Sequence, residues 1–296
     1  MQRIILLFLV VMIMAANGSA NAENYSVEKI STGYTFTEGP VWAADGTLLF
    51  SDIDENKIWK LGADPEVFRT PSGNSNGLTL DHSGRLIACE HSNRRVTRTE
   101  KDGTITVLAD SYQGKKLNSP NDVVVKSDGS IYFTDPPYGI KPEDRELDFC
   151  GVYRLTADGK LELLNKDFDR PNGLCFSPDE KKLYIADSST RQHIRVFDVL
   201  DDGTLRGGEV FAVTNADKGA PDGIKVDVKG NLYAAGPGGV WVFDASGKHI
   251  DTIKTPETPA NIAWGGADGK TLYITARTSI YKVDLKVGGT PPGSKP

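Results

Sequence analysis

Glu38-Gly-Pro-Val-Trp42, the turn Asp45-Gly46 and the run Leu48-Leu-Phe-Ser-Asp52 form a unit that recurs six times in the chain. An oxygen-bearing residue opens an apolar strand, a turn reverses the chain, and a second apolar strand follows. The unit returns at Asn76 to Glu90, Asn121 to Asp135, Asn172 to Asp187, Asp222 to Gly236 and Asn261 to Ala276. The opening residue and the end of the second strand lie 14 positions apart in four copies, and 15 apart in those starting at Asn172 and Asn261. Successive copies begin 38, 45, 51, 50 and 39 residues apart, which brackets the length of a four-stranded propeller blade.

One such sheet cannot bury both faces, so the units must stack, and radial closure hides their edges. Outer strands are visible at Lys57-Ile-Trp-Lys-Leu61 with Glu66-Val-Phe68, and at Ile194-Arg-Val-Phe197 with Glu209-Val-Phe211. The sixth copy shows only three strands, ending near Leu285, so Tyr25 to Ile30 is expected to supply the fourth and close the ring. A solenoid fits poorly, because each unit holds three or four antiparallel strands. The expectation is an all-β, six-bladed β-propeller in one domain over 23–290, with a flexible tail at 291–296.

Ahead of it, Arg3, the apolar run Ile4 to Met14 and the small residues Ala20-Asn21-Ala22 read as a signal peptide over 1–22, cut after Ala22. The run is too short to span a bilayer, so the mature chain is expected to be periplasmic or secreted, with no membrane association. A formal net charge of −6 with scattered Lys and Arg leaves no basic patch for nucleic acid. Cys89, Cys150 and Cys175 are odd in number and fit no CxxC spacing, and are read as small buried hydrophobes.

The first strand of each blade runs beside the central channel, so Glu38, Asn76, Asn121, Asn172, Asp222 and Asn261 are expected to ring one mouth of it. Taken singly, Asn and Asp at strand starts are ordinary turn residues that bond nearby backbone. Glu is a poor turn former, and six oxygen-bearing side chains converging with two negative charges would repel unless a cation sits among them. Oxygen donors without nitrogen or sulfur favour hard divalent ions. Calcium is the first expectation, with Mg²⁺, Mn²⁺ or Zn²⁺ as alternatives. The acids ending the second strands, Asp52, Glu90, Asp135 and Asp187, read as solvated turn caps, some of them orienting ring amides. The loop Asp135-Pro-Pro-Tyr138-Gly139 and the insertion Lys141 to Phe149 read as a pocket wall or as a stiff turn and a charged run. His82, His91, His193 and His249 fall at unrelated repeat positions, and no Ser-His-Asp pattern, nucleophile elbow, P-loop or Rossmann fingerprint is present.

The segments Asn118-Ser-Pro-Asn121-Asp-Val-Val-Val125 and Phe133-Thr-Asp-Pro-Pro-Tyr-Gly139 resemble the gluconolactonase branch of the SMP-30/gluconolactonase/LRE-like family. Thr37-Glu-Gly-Pro-Val-Trp42, Arg170-Pro-Asn-Gly173 and Ala220-Pro-Asp-Gly-Ile224 extend the resemblance over nearly the whole chain. It implies metal-dependent hydrolysis of a small lactone or ester. By motif, Glu38, Asn172 and Asp222 match the family's metal-binding residues, and Asn121 matches the asparagine that touches metal or substrate. Asp222 is the expected general base, and Asn121, Asn76, Asn261 and Tyr138 the expected substrate contacts. Some sugar-lactone members carry Arg two residues before the Asn121 position. Here Ser119 stands there, so a donor to sugar hydroxyls is missing or supplied elsewhere. The alternatives are a phosphotriesterase-like hydrolase using the same ion, and a non-enzymatic propeller scaffold with a structural metal.

Overall fold

The computed structural model describes residues 25–214 and 219–289. The expected signal peptide at 1–22 and the tail at 291–296 lie outside the described residues. Six antiparallel four-stranded sheets account for nearly all regular structure. Their innermost strands are Thr37–Trp42, Ser75–Leu80, Val123–Val125, Pro171–Phe176, Ile224–Val226 and Pro259–Gly265. Each pairs with the second strand anticipated from the repeat, as Val41 with Leu49 in blade 1 and Val123 with Phe133 in blade 3. In blades 3 and 5 the ladder starts later than expected: Asn121 and Asp222 lie just ahead of it rather than opening it.

The turn chemistry explains the regular register. Asp45, Asp128 and Asp227 each accept the backbone N–H two residues on, at 3.2, 2.9 and 2.8 Å, which shapes the reversal before the second strand is laid down. The core lies between blades. Ile87, Cys89 and Val96 of blade 2 pack on Val123, Phe133 and Tyr153 of blade 3, and Tyr233, Val240 and Val242 of blade 5 pack on Ile262, Leu272 and Ile274 of blade 6. Cys89, Cys150 and Cys175 are buried and unpaired, as read from the sequence.

Closure also follows the expectation. Glu28–Thr32 pairs antiparallel with Ser279–Asp284 as the outer strand of blade 6. Beside this seam, Glu257 accepts hydrogen bonds from the Thr278 amide, the Ser279 hydroxyl and the Tyr281 hydroxyl, and Lys29 lies 3.7 Å away. Burial opposes ionisation of Glu257, but these donors outweigh it and hold its carboxyl down at about 2.

At the channel, adjacent blades approach so closely that only glycine fits after a ring residue. A Cβ on Gly39, whose φ is +51°, would stand 2.0 Å from the Asn76 carbonyl oxygen, and one on Gly223 would stand 2.0 Å from the Asn261 amide oxygen. The Asx-Gly pattern of the repeat is therefore a packing requirement as well as a turn signal. Blades 3 and 6 depart from it, carrying Asp122 and Ile262 where the other four carry glycine.

Candidate functional site

The six predicted ring residues meet at one mouth of the channel. The Asn76 Nδ2 donates to the Asn121 Oδ1 at 2.9 Å, and the Asn121 Nδ2 donates to the Asn172 Oδ1 at 2.6 Å. Asn172 donates to the Ser188 hydroxyl at 2.9 Å and also bonds the Asp222 carboxylate. On the other side of Asp222, Glu38 feels the Asp222 charge and bonds Asn261. Carboxamides and carboxylates thus follow one another in blade order around the axis.

Two features set the electrostatics. Glu38 is 2% exposed, and among the described residues its one backbone donor is the Gly39 amide at 2.7 Å. Burial, and then the neighbouring Asp222, push the Glu38 carboxyl well above the carboxylate range. Burial and the Asp122 charge raise Asp222 to about 7. Asp122, itself 2% exposed, leaves one carboxylate oxygen without a hydrogen-bond donor, with the Lys225 ammonium 4.0 Å away. Among the described residues no Lys or Arg forms an ion pair with Glu38 or Asp222.

The donor set fits a hard divalent cation. Two buried carboxylates without an ion pair among the described residues supply the charge, with only the more distant Arg277 favouring ionised Asp222; the amide oxygens of Asn121 and Asn172 keep a lone pair beyond their present hydrogen bond, and the Asn76 Oδ1 is buried without a partner. Among the described residues no three His, Cys, Asp or Glu side chains cluster as a metal site. Half of this ring's candidate ligands are carboxamides, so it lacks the acid or imidazole density of a zinc centre.

Several neighbours were not visible in the repeat. His91 is 6% exposed, with its Nε2 3.3 Å from the Asn76 Nδ2; burial lowers it to about 4, against a hydrogen bond with Asn121. The expectation that the histidines lie apart from the site therefore fails for this one. Ser188, which passes its own hydroxyl proton to the Pro221 carbonyl, was also missed. The second-strand acids differ from expectation as well: Asp52, Glu90, Asp135 and Asp187 are at most 1% exposed, not solvated. They clamp the segments entering each blade. Asp135 accepts the amides of Asn118 and Ser119, both at 2.8 Å, and Asp187 accepts those of Asp169, Arg170 and Ser189.

Tyr138 stands over the ring. Its hydroxyl, raised to about 12 by burial and the Asp222 charge, bonds Ser188 and Asn172, and its ring lies 5.7 Å from the Arg170 guanidinium. The Pro-Pro-Tyr loop therefore walls the mouth, pinned by the Gly139 amide on the Ser119 hydroxyl at 2.9 Å. The insertion behind it forms a short 3₁₀ turn at Pro142–Asp144. Beside Asp222 a cavity of about 160 Å³ opens, lined by Phe36, Pro237, Thr258, Pro259 and Arg277.

Residues 36–278 match the model of the SMP-30/Gluconolactonase/LRE-like region. A gluconolactonase of Zymomonas mobilis is 34% identical over 292 residues, covering 89% of this chain and 82% of its own. The pentonolactonase XacC of Haloferax volcanii is 26% identical over 83% of both chains. The solved structure of a gluconolactonase from Xanthomonas campestris superposes with a TM-score of 0.83 at 36% identity, covering 90% of this chain and 91% of that one.

Proposed function

The chain belongs to the SMP-30/gluconolactonase/LRE-like family, and from that premise we propose that it hydrolyses small lactones with a divalent ion held on the propeller axis. The observation that carries the metal is the joint burial of Glu38 and Asp222 with no protein cation paired to either. Glu38, Asp222, Asn172 and Asn121 would hold the ion, with calcium the first choice for an all-oxygen set. When bound, such an ion supplies Lewis-acid polarisation of the ester carbonyl.

The remaining work falls to the chain's own groups. Asp222 faces the cavity, where its carboxylate would accept a proton from the attacking water. Asn121, Asn76 and Asn261 offer fixed amide groups to substrate oxygens, and the Asn76–Asn121–Asn172 relay holds their orientation. The Tyr138 loop narrows the mouth and limits water. We also infer export, on the basic start, apolar run and small residues of positions 1–22.

The reading is tested by stripping the protein with a chelator and assaying a panel of lactones and phosphotriesters. Lactone hydrolysis is expected to vanish and to return with added calcium, and calorimetry should show that Glu38→Gln has lost the ion. Undiminished lactone turnover by metal-free protein would overturn the metal's role, and turnover of phosphotriesters alone would overturn the substrate class.

A further inference from the structure

The residue one step past the second strand of each blade forms another six-membered set: Ile53, His91, Pro136, Ser188, Pro237 and Arg277. The structure brings four of these to the mouth. His91 meets Asn76, Ser188 meets Asn172, and Pro237 and Arg277 line the cavity beside Asp222. The inner ring repeats one chemistry around the axis, as a spherical ion requires. This outer tier mixes apolar, polar and charged residues, with only proline occurring twice, as an asymmetric organic molecule requires.

Arg277 is the member with a fixed charge. Its guanidinium lies 5.2 Å from the Phe36 ring and its charge acts on Asp222, but it has no hydrogen bond or direct ion pair to any described residue. That is unusual in this chain: Arg69, Arg85, Arg94, Arg95, Arg98, Arg154, Arg191, Arg195 and Arg206 all bind carboxylates. Stacking on an aromatic ring fixes the plane of a guanidinium while leaving its N–H fork free for acceptors. Arg170 on Tyr138 repeats the arrangement farther round the rim.

We propose that Arg277 is the donor that the Ser119 position lacks, and that it selects lactones bearing hydroxyl groups over plain alkyl lactones. The inference rests on the lactonase reading. Phe36 supplies the platform, Asp222 the reacting end of the same cavity, and Pro237 and Pro259 the apolar walls against which a sugar ring can lie. Arg277 lies in the cavity shared with Asp222 and its charge also favours the Asp222 carboxylate, while its N–H fork contributes to binding.

The experiment compares wild type, Arg277→Met and Arg277→Lys on glucono-δ-lactone and δ-valerolactone, and measures gluconate binding by calorimetry. The expected result is a KM for the hydroxylated lactone raised about ten- to a hundred-fold in Arg277→Met, the loss of a hydrogen bond to a charged donor. Arg277→Lys should recover part of this, and δ-valerolactone should be hydrolysed with unchanged KM. Equal KM changes on both lactones, or none on either, overturn the inference and leave lactonase activity standing. If wild type hydrolyses neither lactone but binds gluconate in an Arg277-dependent way, the lactonase reading falls and the recognition role survives. Absence of both turnover and gluconate binding removes both. Thermal melts confirm that the variants fold.

Discussion

Two sets of buried carboxylates stand at the same end of the propeller and differ in what surrounds them. Asp52, Asp135 and Asp187 each accept at least two backbone amides, and Glu90 is held by Arg69, Arg95, Asn93 and Thr97. Glu38 has one backbone amide, and Asp222 shares its site with a second acid and a third nearby. Burial alone does not separate the two sets: Asp135, even with two amides, is lifted by burial to about 7. What separates them is whether the chain supplies enough donors. The well-supplied set holds the fold, and the deficient pair is the one that our proposal assigns to an external cation.

Breaking each set should give opposite phenotypes. Asp222→Asn is expected to lower kcat by about 10²- to 10⁴-fold, the range of a lost acid–base group, while the metal-free melting temperature holds or rises because a buried repulsion disappears. Asp187→Asn should instead destabilise by about 1–3 kcal/mol, since it strands amides that now have an acceptor. Chemical denaturation and steady-state kinetics on the two variants decide it; the reverse pattern would erase the distinction.

A gentler probe is pH. The folded-state values of Glu38 and Asp222 lie above those of free carboxylates, so their contribution is fully present below about 4 and is lost as pH rises through about 7 for Asp222. Chelated protein should therefore melt progressively lower from pH 4 to pH 8, and calcium should remove most of that slope. A flat profile without the ion would mean the pair is already compensated. Glu257 has the opposite sign. Its carboxyl is held at about 2, so its contribution is complete above the ordinary glutamate range and is lost as pH falls through about 2. Glu257→Gln should cost about 1 kcal/mol near neutrality, and the deficit should shrink as the solution is acidified.

The repeat exposed the inner ring because every blade must place an oxygen-bearing side chain at the channel, followed in four of them by a glycine that lets the next blade approach. Gly39 against Asn76 and Gly223 against Asn261 show that constraint directly. The outer tier also keeps its register, but no shared residue type marks it, so His91, Ser188 and Arg277 stayed hidden until three dimensions placed them. The strand-end acids were seen and misjudged. An acid beside a turn looks solvated in sequence, whereas here Asp52, Asp135 and Asp187 fold under the entering segment and satisfy its amides, and Glu90 is tied by side-chain donors. Asp122 was masked by its ring neighbour Asn121, and only the crowding between blades reveals it as a third negative charge near the axis.

The seam between Glu28–Thr32 and Ser279–Asp284 joins residues about 250 positions apart, so the loop it closes is nearly the whole polypeptide and carries a large entropic cost before any contact rewards it. Blade 6 also contributes Asn261, the neighbour of Glu38. A nascent chain thus lacks both its girdle and one member of the ring until the last blade is made. Assembly of the pocket and circularisation of the fold are, in this molecule, the same event.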